Sequence, residues 1–109
     1  MIIKEVNEGK KVEYAEEGTR LYFGDDELML NLKKYERDEE VTIDICTDDD
    51  MILIAGLSKY FVANIIIPAR AYEDNEKTIP VPFDMDRVTL CLWALPTIEP
   101  DGVAVTEEV

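Results

Sequence analysis

The sequence predicts an all-β domain, an antiparallel β-sandwich or small barrel of about seven to nine short strands. Apolar residues alternate with period two, turn formers recur at a spacing of about ten residues, and no stretch carries a dominant helical period. The 109 residues fit one domain with no room for a second. We take residues 1–106 as that domain and residues 107–109 as a frayed tail.

The N-terminal third offers three short strand candidates: IIKEV (2–6), KVEYA (11–15) and TRLYF (19–23). Asn7, Gly9 and Gly18 punctuate them. The next segments alternate more clearly. Leu28, Leu30 and Leu32 interleave with Met29, Asn31 and Lys33, and Val41, Ile43 and Ile45 interleave with Thr42, Asp44 and Cys46. Near the C-terminus, Val88, Leu90, Leu92 and Ala94 alternate with Arg87, Thr89, Cys91 and Trp93. Such alternation is what a sheet with one face on a core requires.

The middle is apolar on both alternating faces. MILIAG (51–56) and FVANIIIPARAY (61–72) read as strands covered on both sides. The competing reading of the first is a helix running from Met51 toward Tyr60, capped by the preceding aspartates. Gly56 and the β-branched Ile52 and Ile54 favour a strand. Pro68 cannot donate to a ladder, which puts it at an edge, a bulge or a strand end. Left on an edge, the run NIIIP would be an aggregation hazard unless another chain covered it. Residues 72–83 begin as a polar loop and continue extended through Pro80 and Pro82. A turn at Pro100, Asp101 and Gly102 precedes a last short strand at 103–105.

The 25 acidic residues against 11 basic ones leave a formal net charge of −14. That field opposes phosphate backbones and anionic membranes, so neither direct nucleic-acid binding nor membrane binding is expected. A protein partner, or a second copy, is. No apolar signal segment opens the chain and no run approaches the ~18 residues of a membrane span, which predicts cytoplasmic residence. Cys46 and Cys91 lie in apolar runs and are expected reduced and buried, with a bridge between them as the alternative.

The acids avoid the best strands. Across 28–34, 41–46, 51–55, 61–71 and 87–94, only Asp44 is acidic. This distribution fits solvated turns better than a surface built to imitate nucleic acid. The triplet Asp48–Asp50 invites comparison with a calcium loop. Asp48 and Asp50 have alternate spacing, but Ile52 and Leu53 stand where a third ligand and a glycine belong. A hairpin turn is the expectation. A cation site would have to recruit Asp25 and Glu27 from the second acidic loop, GDDE (24–27).

Catalysis is not expected, and no cofactor is predicted. The chain has no histidine, one serine (Ser58) and five scattered glycines. His-based acid–base chemistry, Ser–His or Cys–His nucleophiles and phosphate-cradling loops are therefore excluded. The candidate contact residues are Trp93, on the face opposite the strongly apolar one, together with Arg70, Ile66 and Pro68. Trp93 is either an exposed aromatic anchor or part of a second packed layer. Arg70 is expected to pair with one of the many acids, and Tyr60 and Phe61 to pack in the core. The resulting expectation is a non-catalytic interaction or structural module, either an adaptor or a subunit of a self-assembling, phage-like particle. The alternative is an acidic inhibitor that occupies the nucleic-acid groove of a basic protein.

Overall fold

The period-two segments become strands, and their apolar faces meet. The computed structural model of the chain describes residues 1–98 and 104–105. β1 (Ile2–Glu5), β8 (Thr89–Leu92), β7 (Tyr60–Ile67), β5 (Val41–Thr47) and β6 (Leu53–Ala55) form a five-stranded sheet in that spatial order. β2 (Tyr14–Glu17), β3 (Arg20–Phe23) and β4 (Leu28–Asn31) form a three-stranded meander. β9 (Thr97–Ile98) and β10 (Ala104–Val105) pair as a short ladder. The architecture is all-β, with two 3-10 turns at Leu32–Tyr35 and Met85–Arg87 and no α-helix among the described residues. None of those residues forms a helix long and apolar enough to cross a membrane. The expected turn at 100–102 and the tail 107–109 lie outside the described residues.

One pairing departs from the antiparallel expectation. β1 runs parallel to β8, with Ile2 beside Thr89 and Glu5 beside Leu92. No tight turn joins these two strands, so the connection imposes no antiparallel direction. The remaining pairs are antiparallel.

The inner face of the large sheet carries Ile45, Ala63, Ile65, Ile67, Leu90 and Leu92, all buried. Leu21 and Phe23 of β3, with Leu30 and Leu32, cover it from the meander, and Val12 and Val88 complete the cluster. Full burial of each such aliphatic side chain contributes about 1.5–3 kcal/mol, so this contact supplies most of the folding drive. Between Ile45 and Cys46 the β5–β7 register shifts at a bulge. Past it, Cys46 faces Phe61 and Val62 is left over in β7.

The segment read as strand or helix at 51–56 is a strand, but a shortened one. Met51 sits at φ +62° in the hairpin loop, and β6 starts only at Leu53. Met51 N–H donates to the Asp48 carbonyl at 3.1 Å, and Asp48 Oδ1 accepts from Asp50 N at 2.9 Å and Ile52 N at 3.1 Å. The aspartate triplet thus forms the β5–β6 turn, with Asp48 holding its backbone. At the same end of the sheet, Gly9 lies at φ +131°, and a Cβ there would stand 2.8 Å from Ala94 Cβ. Only glycine lets the loop after β1 cross so close to the end of β8, where Lys10 O accepts from Leu95 N at 2.7 Å.

Residues 72–80 form a looped excursion closed by a bridge between Tyr72 and Pro80. Asp74 organises it. Its carboxylate accepts from Thr78 N, from Ile79 N at 3.0 Å and from the Thr78 hydroxyl. The Thr78 hydroxyl, then the Ile79 amide, hold the Asp74 carboxyl below the ordinary aspartate range.

Two outcomes are expected. Ile65→Ala, at a fully buried position flanked by Ile43 and Leu90, should lower stability by about 2–5 kcal/mol in a urea titration. Asp74 has a depressed pKa, so its contribution is complete at neutral pH and is lost as pH falls below the ordinary carboxylate range. Hydrogen exchange of the Thr78 and Ile79 amides, corrected for intrinsic rate, should lose protection across that acidic window. Asp74→Ala should abolish this protection at every pH.

Candidate functional site

The outer face of the five-stranded sheet gathers the residues that look outward from β8, β7 and β5. Three rows cross it. Ile2, Thr89, Ile66 and Thr42 lie side by side across β1, β8, β7 and β5. Lys4, Cys91, Asn64 and Asp44 form the next row. Beyond the bulge, Trp93, Phe61, Cys46 and Ile54 form the third. Solvent reaches every one of these side chains except Cys46. Phe61 is 42% exposed and Ile2 48%.

Trp93 is half-buried and held by two neighbours. Its ring stacks on Phe61 with centroids 5.7 Å apart and planes inclined by 28°. Its indole N–H donates to Asn64 Oδ1 at 2.6 Å, and Asn64 Nδ2 donates to Asp44 Oδ1 at 2.8 Å. The single carboxylate within the strong strands therefore orients Asn64, and Asn64 fixes the indole. A rigid aromatic pair on a half-wet face is suited to contact, because little side-chain freedom remains to be lost on binding.

Several expectations need correction here. Phe61 was expected in the core. The bulge shifts its parity relative to Ala63 and Ile65, and it joins Trp93 outside. The run NIIIP does not lie on an edge, since β7 sits between β8 and β5. Ile66 is half-buried on the outer face, and Pro68 follows the last residue of β7, a strand end where its missing N–H costs nothing. Cys91 is only half-buried; both cysteines are free.

Arg70 lies beyond this face and is occupied within the chain. Its guanidinium meets Glu36 Oε1 at 3.4 Å, the Glu36 carbonyl at 3.1 Å and Asp38 Oδ1 at 3.5 Å. Tyr72 donates to the same Asp38 oxygen at 2.5 Å. This cluster ties the end of β7 to the loop after the first 3-10 turn.

The first acidic loop meets the start of β6 rather than the aspartates themselves. Glu27 Oε1 accepts from Leu53 N at 3.1 Å, bringing GDDE against the start of β6. Gly24, at φ +64°, has Glu27 and Leu53 atoms 3.2–3.3 Å from where a Cβ would stand. Asp48 spends an oxygen on its own turn, Asp49 pairs with Lys59, and Asp25 and Asp50 are exposed. Among the described residues, no three metal-ligating side chains converge. Beside this contact lies a shallow cavity of about 220 Å³ walled by Val12, Thr47, Met51, Leu53 and Leu95. The buried Thr47 hydroxyl has no partner among the described residues. One water is enough to satisfy such a group.

Removing the central amide tests the network. Asn64→Ala should cost about 1 kcal/mol, since water replaces only part of its two bonds. It should also shift Trp93 emission to longer wavelength as the indole loosens. No protein-family model, no curated protein and no solved structure matches the chain.

Proposed function

We propose that this chain is a non-catalytic protein-interaction or structural module that works through the outer face of its five-stranded sheet. It acts as a subunit of a self-assembling, phage-like particle or as an adaptor, with cytoplasmic residence part of the same proposal. One observation carries the reading. In a chain with 25 acidic and 11 basic residues, the described strand rows of that face present an aromatic pair, Ile2, Ile66 and Ile54, with Lys4 and Asp44 as their charged groups and Lys59 beside the aromatic pair. A connected, charge-poor patch left to water is the mark of a contact surface.

The rival reading is an acidic inhibitor that takes the nucleic-acid groove of a basic protein. The contact of Glu27 with the start of β6, close in sequence to the aspartates at 48–50, favours it, because it brings carboxylates toward one end of the molecule. The two readings differ in salt dependence, since an apolar contact holds as salt rises and an electrostatic decoy is released.

Light scattering after size exclusion, and capture of partners from lysate, should be run at low and high salt on the native chain and on Ile66→Lys. Ile66 lies between Thr42 and Thr89 on the wet face, so the substitution should keep the β signal in circular dichroism. The expected result is an oligomer or complex that survives salt and is lost in the variant. A complex that dissolves with salt and ignores the variant would favour the decoy.

A further inference from the structure

We infer that β1 is a strand-addition edge through which two copies of this chain join their five-stranded sheets antiparallel, about a two-fold axis at Ile3. The inference rests on the self-assembly branch of the reading above and supplies the surface on which it would act.

The outer edge of β1 is unpaired among the described residues. Its even residues bond inward to β8: Ile2 N–H donates to the Val88 carbonyl and Val6 N–H to the Leu92 carbonyl, each at 2.8 Å. By strand alternation, the N–H and C=O groups of Ile3 and Glu5 then point away from the sheet. All four residues of β1 are exposed, with Ile3 at 40%, and Val6 just beyond is 45% exposed. The strand has no proline and no bulge, the usual devices that blunt an edge.

The other edges are guarded. At β6 the Leu53 N–H is taken by the Glu27 carboxylate, and β4 lies alongside. At β2 two of the four residues are glutamates, Glu16 and Glu17, so a second copy would bring like charges together. β1 is the exception in an acidic molecule. Residues 1–11 hold Lys4, Lys10 and Lys11 against Glu5 and Glu8, and Lys11 lies 3.8 Å from Glu5. Two copies can therefore approach here without the repulsion that a net charge of −14 imposes elsewhere.

Charge and parity also select the register. Outward groups meet only if odd residues face odd residues. Centring the pair on Lys4 or on Glu5 would set a like charge against itself. Centring it on Ile3 puts Ile3 against Ile3, Lys4 against Ile2 and Glu5 against Met1, so no like charges within β1 are opposed and the partner's Glu5 meets the Met1 ammonium, which lies 3.8 Å from Glu16. The Ile3 side chains, on the same side of the sheet as the buried Leu90, then cover one another. The outer faces of the two sheets become continuous through their Ile2 residues. An edge of four residues is short, so association is concentration-dependent.

The test is sedimentation equilibrium over a wide concentration range on the native chain, Ile3→Pro, Ile3→Lys and Ile66→Lys. Ile3→Pro removes only the outward N–H and spares the bonds of residues 2 and 6 to β8. Ile3→Lys keeps the backbone and opposes two lysines across the axis, and so covers the case in which the proline variant fails to fold. The native mass should rise from 12.5 kDa toward twice that value, while both Ile3 variants stay monomeric with unchanged circular dichroism. A native chain that stays monomeric at every concentration would overturn the inference. So would folded Ile3 variants that associate as the native chain does. In that last case, loss of association in Ile66→Lys alone would leave the face reading standing while the edge inference falls.

Discussion

The structure depends on a shortage of covering strands. Five strands make the large sheet and three the meander, beside the short β9–β10 ladder, and the meander buries only one face of the large sheet. Ile45, Ile65, Ile67 and Leu90 are driven against Leu21 and Phe23 because that contact removes the most apolar surface from water. Among the described residues, every position in the rows of the opposite face but Cys46 keeps access to solvent. Its residues are a compromise between strand propensity and water: threonines, an asparagine and an aspartate among isoleucines and an aromatic pair.

Order on that wet face comes from a few directed bonds. Asp44, Asn64 and Trp93 form a chain of hydrogen bonds across three strands, and Phe61 is brought to it by the bulge in β7. The bulge exchanges the regular alternation for one residue re-aimed outward, a common use of such irregularities near functional surfaces. Asp44 is the one acid within the strong strands, and its place there is explained by a partner.

Charge is spent elsewhere on holding loops. Glu36 and Asp38 grip Arg70, Asp49 pairs with Lys59, Asp74 caps its own loop and Glu27 seals the edge of β6. Exposed pairs of this kind each contribute little to stability. What they do is choose loop conformations, and in the case of Glu27 they keep a strand edge closed. Among the described residues, the outer edge of β1 has no comparable seal.

Local alternation in the sequence was enough for the all-β class, the approximate positions of most strands and most of the inward apolar residues; the strand expected at 11–15 lies instead at Tyr14–Glu17. The pleat enforces that alternation residue by residue. The sequence also located the aspartate triplet in a turn, since Asp48 bonds only to its near neighbours. Tertiary structure alone decided which strands became edges, that β1 pairs parallel to β8, and that NIIIP lies at the sheet centre. Strand order depends on contacts between distant segments, and alternation carries no record of neighbours. It also decided the fates of Phe61 and Arg70. One bulge inverts parity for every residue beyond it, and Arg70 found Glu36 and Asp38 only because the sheet brought those loops together.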